Sequence, residues 1–286
     1  MRLASYNLRG RPSFGAVVSG SAGEGIVDLR ARLSRFATLL EVFRAQALAE
    51  AKAAADGVRP DVPLAEVELL PPLAAPEKIL CIGINYANRG ADYNVTNNPK
   101  YPSMFYRAPN SMVGSGQHLV RPKISEQLDY EGEIAIVIGK EGKHVPKERA
   151  LDYIAGLTLA NEGTIRDWTR HGQFNVTQGK NFDATGAIGP WIVTGLDPAK
   201  PLHLITRKNG EVIQDDTTAS MIFSFADIIA YTTSFMTLKA GDVICTGTPV
   251  KKGPKVEPPV WLKPGDTIEV ECPDIGVLRN SVVDEA

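Results

Sequence analysis

The chain has 286 residues, of which 43% are hydrophobic and 22% charged, enough to bury a full core. A net charge of −2 gives no sign of a polyanion-binding surface, so no nucleic-acid partner is expected, and no apolar run approaches the ~18 residues that span a bilayer. Cys81, Cys245 and Cys272 are odd in number and widely spaced, and the N-terminus lacks the apolar core of a signal peptide, which fits a cytoplasmic protein with reduced thiols.

Residues 1–71 read as a small N-terminal α+β domain. Strands are expected at 2–6, 14–19 and 25–29, followed by a helical stretch from Phe36 to Ala55 with Phe36, Leu39, Leu40 and Phe43 on one face. Pro60, Pro63, Pro71, Pro72 and Pro76 then mark an extended connection, with the boundary near Pro71 and a second domain over 72–286. That domain opens with a buried strand, Lys78 to Tyr86, running into a polar stretch over 87–100 suited to a mobile segment above a site. The apolar β-branched run Ile134 to Ile138 predicts a strand buried on both faces. Val145 to Ile154 predicts a helix with Pro146 in its first turn, and Leu157 to Glu162 another short strand. Further strands are expected at 189–194, 202–207 and 211–213, and an amphipathic helix at 223–235. Two similar pieces, Leu238-Lys-Ala-Gly-Asp and Leu262-Lys-Pro-Gly-Asp, each read as a Gly-Asp turn feeding a strand. Strands outnumber helices and are joined by turns, so the fold class is a β-rich α+β.

Glu131 and Glu133 are spaced i, i+2 at the start of the apolar strand, a spacing that points both carboxylates to one side. Two like charges there resist burial unless a cation joins them, and hard divalent ions choose oxygen ligands. Glu162, ending a neighbouring strand, is the third candidate metal ligand. Three monodentate oxygens leave positions open for a substrate carboxylate and carbonyl, which the metal polarises as a Lewis acid. Lys180, in Gln178-Gly-Lys-Asn-Phe-Asp183, is the candidate for stabilising an enolate or oxyanion, against the plainer reading of a surface lysine. Thr246-Gly-Thr-Pro249 reads either as a plain turn or as a carboxylate-binding loop, with Thr248 in it. Arg107 and Arg166 are anion-binding candidates or ion-pair partners. His171, in the polar loop nine residues before Lys180, is the best-placed histidine. No serine, cysteine or threonine stands in a nucleophile motif.

Together the segments Lys78 to Tyr86, Asp129 to Lys140, Ala150 to Gly156, Gly179 to Asp183, Ile188 to Thr194, Met221 to Tyr231, Phe235 to Pro249 and Leu262 to Val270 resemble the fumarylacetoacetate hydrolase family, in family order. The resemblance implies a rolled mixed β-sheet, Mg²⁺ or Mn²⁺ on three carboxylates and a homodimer. It matches Glu131, Glu133 and Glu162 to the metal positions, the last usually aspartate. It matches Lys180 to the substrate-facing lysine, and Tyr86 and Thr248 to substrate-contacting segments. In many hydrolases of the family a His-x-x-Glu pair follows Asn-Tyr and activates water; here Arg89 and Asp92 stand at those places. Arginine stays protonated and cannot be that base, but it can hold a substrate carboxylate, which favours a dicarboxylate. Asp92 or His171 would then be the substitute base. The expected activity is metal-dependent C–C hydrolysis of an acylpyruvate of the maleylpyruvate or fumarylpyruvate type, in aromatic degradation, releasing pyruvate. The rivals are decarboxylation, isomerisation or dehydration through a metal-bound enolate, and a non-catalytic dicarboxylate-binding role.

Overall fold

The structure is a computed structural model that describes residues 1–21, 23–87, 89, 97–173, 176–252 and 259–286. Strands β1 (Arg2–Leu8), β2 (Arg11–Gly20) and β3 (Gly23–Asp28) form an antiparallel meander. Arg9 and Gly10 turn the chain between the first two with φ of 52° and 81°, the left-handed pair that a tight hairpin requires. Helices α1 (Leu29–Arg32), α2 (Leu39–Arg44) and α3 (Leu48–Ala55) follow, then β4 (Val62–Pro63) and β5 (Glu68–Leu69). The single helix expected from Phe36 to Ala55 is therefore interrupted. Gln46 adopts φ 54°, which no α-helix accommodates, and the chain restarts at Leu48.

Next come β6 (Ile79–Gly83), β7 (Ser103–Tyr106), β8 (Met112–Val113), β9 (His118–Arg121), β10 (Leu128–Asp129) and β11 (Gly132–Ile138). The stretch Lys147–Tyr153 is a 3₁₀-helix, not the α-helix expected there; Pro146 lies outside it in an extended conformation, and no side chain caps it. Then follow β12 (Ile154–Asn161), β13 (Thr164–Ile165), α4 (Thr177–Lys180), β14 (Gly186–Val193), β15 (His203–Lys208) and β16 (Glu211–Thr217). The expected amphipathic helix is α5 (Phe225–Phe235), started by a Ser224/Asp227 capping box and burying Phe225, Ile228, Ile229, Thr232 and Thr233 along one stripe. Strands β17 (Val243–Cys245), β18 (Thr267–Cys272) and β19 (Gly276–Asp284) complete the chain. The two similar Lys-x-Gly-Asp pieces fold alike. In each the Lys N–H donates to the Asp carboxylate (2.7 Å to Asp242, 3.0 Å to Asp266), and the glycine takes φ of 90° or 89°.

Among the described residues twelve strands form one mixed sheet in the order β4-β3-β2-β1-β14-β12-β11-β17-β6-β7, with β5 on β1 and β8 on β14. Five more form a second sheet, β16-β15-β18-β19-β9. Backbone pairing runs across the boundary expected near Pro71, because β1 pairs with β14 at Arg2↔Val193 and Leu3↔Ile192. Strand β11 lies near the centre with all seven residues buried, as its apolar run predicts. Its Ile134, Ile136 and Ile138 pack into one core with Leu204, Ile268 and Val270 of the second sheet, and its Ala135 and Val137 into another with Leu39, Leu40, Val42 and Phe43. Each such isoleucine contributes roughly 1.5–3 kcal/mol of burial. The strand is held from both sides, which fixes the end where the acidic residues stand.

Candidate active site

The register of three strands assembles the acids. Gly132 pairs with Asn161 and Glu133 with Ala160, so Glu162 comes beside Glu131, whose carbonyl accepts from the Glu162 N–H at 2.7 Å. On the other side of β11, Ala135 pairs with Cys245, which brings the Thr246-Gly-Thr-Pro turn alongside Glu133; the Gly247 N–H donates to Glu133 Oε2 at 2.8 Å. Glu131 lies in the break between β10 and β11 and Glu133 inside β11, yet both share the parity of Ala135 and Val137 and point the same way. Gly132 between them faces the opposite sheet; a Cβ there would stand 2.0 Å from Thr206 Oγ1.

The carboxylates of Glu131, Glu133 and Glu162 are all buried, and one oxygen from each lies within 4.8 Å of the others. Glu131 is surrounded by cations: Arg166 Nη2 at 2.6 Å and Arg89 Nη2 at 3.0 Å from Oε1, and Lys180 Nζ at 2.6 Å from Oε2. Burial pushes its pKa up, but Lys180, Arg166 and Arg89 outweigh that and hold it well below the usual carboxylate range. Glu133 has no ion pair among the described residues. Burial first, then the neighbouring Glu162, Cys245 and Glu131, push its pKa well above the usual value. Lys180 Nζ also stands 2.9 Å from Glu162 Oε1, though without the alignment of a hydrogen bond, and that oxygen has no hydrogen-bond donor. An acid with no cation beside another with an undonated oxygen fits a divalent ion on these three ligands.

Lys180 ends α4, and Gly179 before it packs against the Ile165 carbonyl so closely that a Cβ would stand 2.7 Å away. The lysine is buried, with its ammonium over the Phe105 ring at 5.2 Å. Arg166 bridges Glu131 and Asp129, its Nε 2.8 Å from Asp129 Oδ2. Arg107 is buried and directs its N–H groups at Ser111, the Gly163 carbonyl (2.7 Å) and Thr185, with Glu162 at 3.5 Å. It therefore braces the turn that carries Glu162. Thr248 Oγ1 accepts from Gln214 Nε2 at 2.8 Å. Tyr86 is fully buried, and its hydroxyl has no hydrogen-bond partner among the described residues. Burial, with Glu133 and Asp216 nearby, pushes that phenol up. His171 is exposed with its ring stacked on Trp168 at 4.1 Å. Asp92 lies outside the described residues, as do 88, 90, 91 and 93–96 of the segment expected above the site.

Three residues escaped the sequence reading. Asp129 is buried and bound by Arg166 and by Lys251 Nζ at 2.8 Å, and Asn161 Oδ1 accepts from the Glu131 N–H at 3.0 Å. Asp129 stands two positions before Glu131, so the i, i+2 spacing that singled out the glutamates extends to it.

The chain is similar to known proteins along most of its length. The model of the fumarylacetoacetate hydrolase C-terminal domain matches residues 78–283. Oxaloacetate tautomerase FAHD2B, mitochondrial, of Homo sapiens is 38% identical over 267 residues, covering 91% of this chain and 85% of that protein. Among solved structures, a fumarylacetoacetate hydrolase from Exiguobacterium antarcticum superposes with a TM-score of 0.81 at 33% identity. A 5-carboxymethyl-2-hydroxymuconate delta-isomerase from Mycobacterium smegmatis does so with 0.77 at 29%; each match covers 100% of both chains.

Proposed function

Because the chain belongs to the fumarylacetoacetate hydrolase family, we propose that it interconverts the enol and keto forms of a 2-oxo dicarboxylate such as oxaloacetate. The observation that carries this choice is Arg89 on Glu131: the place of the expected water-activating base holds a guanidinium. Tautomerisation moves one proton between carbon and oxygen and needs no attacking water. The similarity to proteins named oxaloacetate tautomerases supports the same choice over the acylpyruvate hydrolysis expected from the sequence.

Mg²⁺ or Mn²⁺ on Glu131, Glu133 and Glu162 would polarise the 2-oxo group as a Lewis acid. The chain's own groups do the rest. Arg166 and Lys251, already converging on Asp129, give the site the positive character that orients substrate carboxylates. The Thr248 O–H and the Tyr86 hydroxyl are further donors. Lys180 Nζ faces the reacting oxygen and stabilises the enolate. It gives one proton to C3 and takes one from the enol oxygen, so the lysine returns to its starting state. Arg107 acts through Glu162, not on substrate. His171, stacked on Trp168, is the exchange base to test beside Lys180.

Hydrolysis of an acylpyruvate is the second reading, favoured by the likeness to the Exiguobacterium hydrolase. A homodimer fits the exposed Tyr106 and Phe235 as an apolar contact patch. Three buried free thiols support a reducing compartment such as the cytoplasm, and no helix among the described residues is long and apolar enough to cross a membrane. To test the activity, the protein is stripped of metal, given Mg²⁺ or Mn²⁺, and the enol absorbance of oxaloacetate followed. Metal-dependent enol–keto exchange with the carbon skeleton intact is expected. Release of pyruvate from fumarylpyruvate, with oxaloacetate exchange unaccelerated, would overturn the tautomerase reading in favour of hydrolysis.

A further inference from the structure

Strand β16 lies at the edge of the second sheet, and Gln214 is its one fully buried residue. Glutamine is seldom buried unless its polar atoms are satisfied, and here all of them are. Its Oε1 accepts from the Gly132 N–H at 3.2 Å, and its Nε2 donates to Thr248 Oγ1 at 2.8 Å and to the Pro249 carbonyl at 2.7 Å. These partners fix which way round the amide stands. A flipped amide would set its oxygen against the Pro249 carbonyl and its N–H groups against the Gly132 N–H, losing both bonds.

The orientation of the amide sets that of the threonine. A hydroxyl has one proton and two lone pairs. With one lone pair taken by Gln214, the Thr248 proton points away from the glutamine, and it donates to no group among the described residues. Thr248 follows Gly247, whose N–H donates to Glu133 Oε2 at 2.8 Å, so this unused donor is one residue from a bond that holds a candidate ligand.

The same glutamine spans two elements of the site. Gly132 lies between Glu131 and Glu133, whereas Thr248 and Pro249 belong to the turn after β17. Beside it the Lys252 N–H donates to the Ile213 carbonyl at 2.7 Å, so backbone and side chain of β16 hold the same loop.

We propose, on the reading that the Thr248 O–H meets a substrate carboxylate, that Gln214 is a positioning residue for that contact. It turns the Thr248 proton toward the substrate and keeps the turn carrying it in register with the strand carrying two candidate ligands. Gln214 does not touch the substrate; it acts through Thr248.

The test is a double-variant cycle on Mg²⁺-loaded protein: wild type, Q214M, T248V and Q214M/T248V, with T248S as the conservative control. Two readouts are taken. One is KM and kcat for enol–keto exchange of oxaloacetate; the other is the calorimetric Kd of succinate, a dicarboxylate without a 2-oxo group. T248V should raise KM and Kd about tenfold to a hundredfold, the range for one hydrogen bond to a charged group, and T248S should stay near wild type. Q214M should raise both about tenfold and lower kcat far less, whereas a variant that merely folds poorly loses kcat and keeps KM. In the Q214M background T248V should add less than about threefold, because the contact is already lost. Methionine leaves the Gly132 N–H and the Pro249 carbonyl unpaired, so Q214E, which keeps the acceptor for Gly132, goes through the same cycle; its added charge is common to both members and cancels. Equal effects of T248V with and without Gln214, or wild-type KM and Kd in Q214M, overturn the proposal. Wild-type KM and Kd in T248V overturn it together with the carboxylate reading of Thr248, as does a wild type that neither exchanges oxaloacetate nor binds succinate. Full coupling on succinate without oxaloacetate exchange overturns the tautomerase reading alone and sustains the role of Gln214.

Discussion

Alanine at Gly132 would carry its methyl group 2.0 Å from Thr206 Oγ1, with Gln214 Oε1 at 3.2 Å. Thr206 is fully buried on β15, and its short branched side chain has little freedom to turn away. G132A should therefore cost about 1–3 kcal/mol as an overpacked core does, lowering Tm by roughly 2–10 °C. Thr206→Ala tests the cause. Thr206 Oγ1 has no hydrogen-bond partner among the described residues, so deleting it breaks no hydrogen bond, and T206A alone should cost about 1 kcal/mol or less. In G132A/T206A the closest contact disappears, and a coupling of about 1 kcal/mol or more should return part of the loss. The assay is urea unfolding of the four proteins in one buffer, with Mn²⁺ affinity measured alongside, since Gly132 separates two candidate ligands. A G132A protein as stable as wild type, or strictly additive losses in the double variant, would refute the reasoning.

Lys180→Met should slow enol–keto exchange by roughly 10²–10³-fold, the range for removing one charge-stabilising donor; a wild-type rate in a folded variant would remove Lys180 from the mechanism. Asp266 sets an acid limit. Burial pushes its carboxyl up, but hydrogen bonds from Asn209, the Lys263 N–H and Lys208 outweigh that and hold its pKa below 3.8. A depressed folded-state pKa gives stability that is full above 3.8 and lost as pH falls through the folded value. D266N should therefore be less stable near neutral pH and show a flatter acid limb below about pH 4 in thermal melts. Finally, Cys81, Cys245 and Cys272 are all buried, so a thiol reagent should label none in the native protein and all after guanidinium unfolding; native labelling would contradict the packing.

What could be read from the sequence was local. The run Ile134 to Ile138 specified a doubly buried strand, and the i, i+2 spacing placed Glu131 and Glu133 together, because β periodicity is a property of neighbouring residues. Glu162 was legible as an acid ending an apolar strand. Arg107 was legible only as an anion binder or an ion-pair partner; its bonds to Gly163, Ser111 and Thr185 depend on partners up to 78 positions away. Lys251 meets Asp129 across 122 positions, a pairing with no local signal. The break at Gln46 carries neither glycine nor proline to announce it, and the join of β1 to β14 is equally silent because each strand alone reads as an ordinary strand.

That same join bears on how the protein is made. One edge of β1 is covered by β2 along its whole length, and the other by β5 at Tyr6 and Asn7, with the Leu70 N–H on the Ser5 carbonyl. The remainder of that edge, Arg2 and Leu3, waits for Val193 and Ile192, about 190 residues later in the chain. At a synthesis rate of about 5–20 residues per second, the nascent meander carries an open backbone edge for roughly 10–40 s. For that interval the strand is a template for intruding strands, until β14 arrives to cover it.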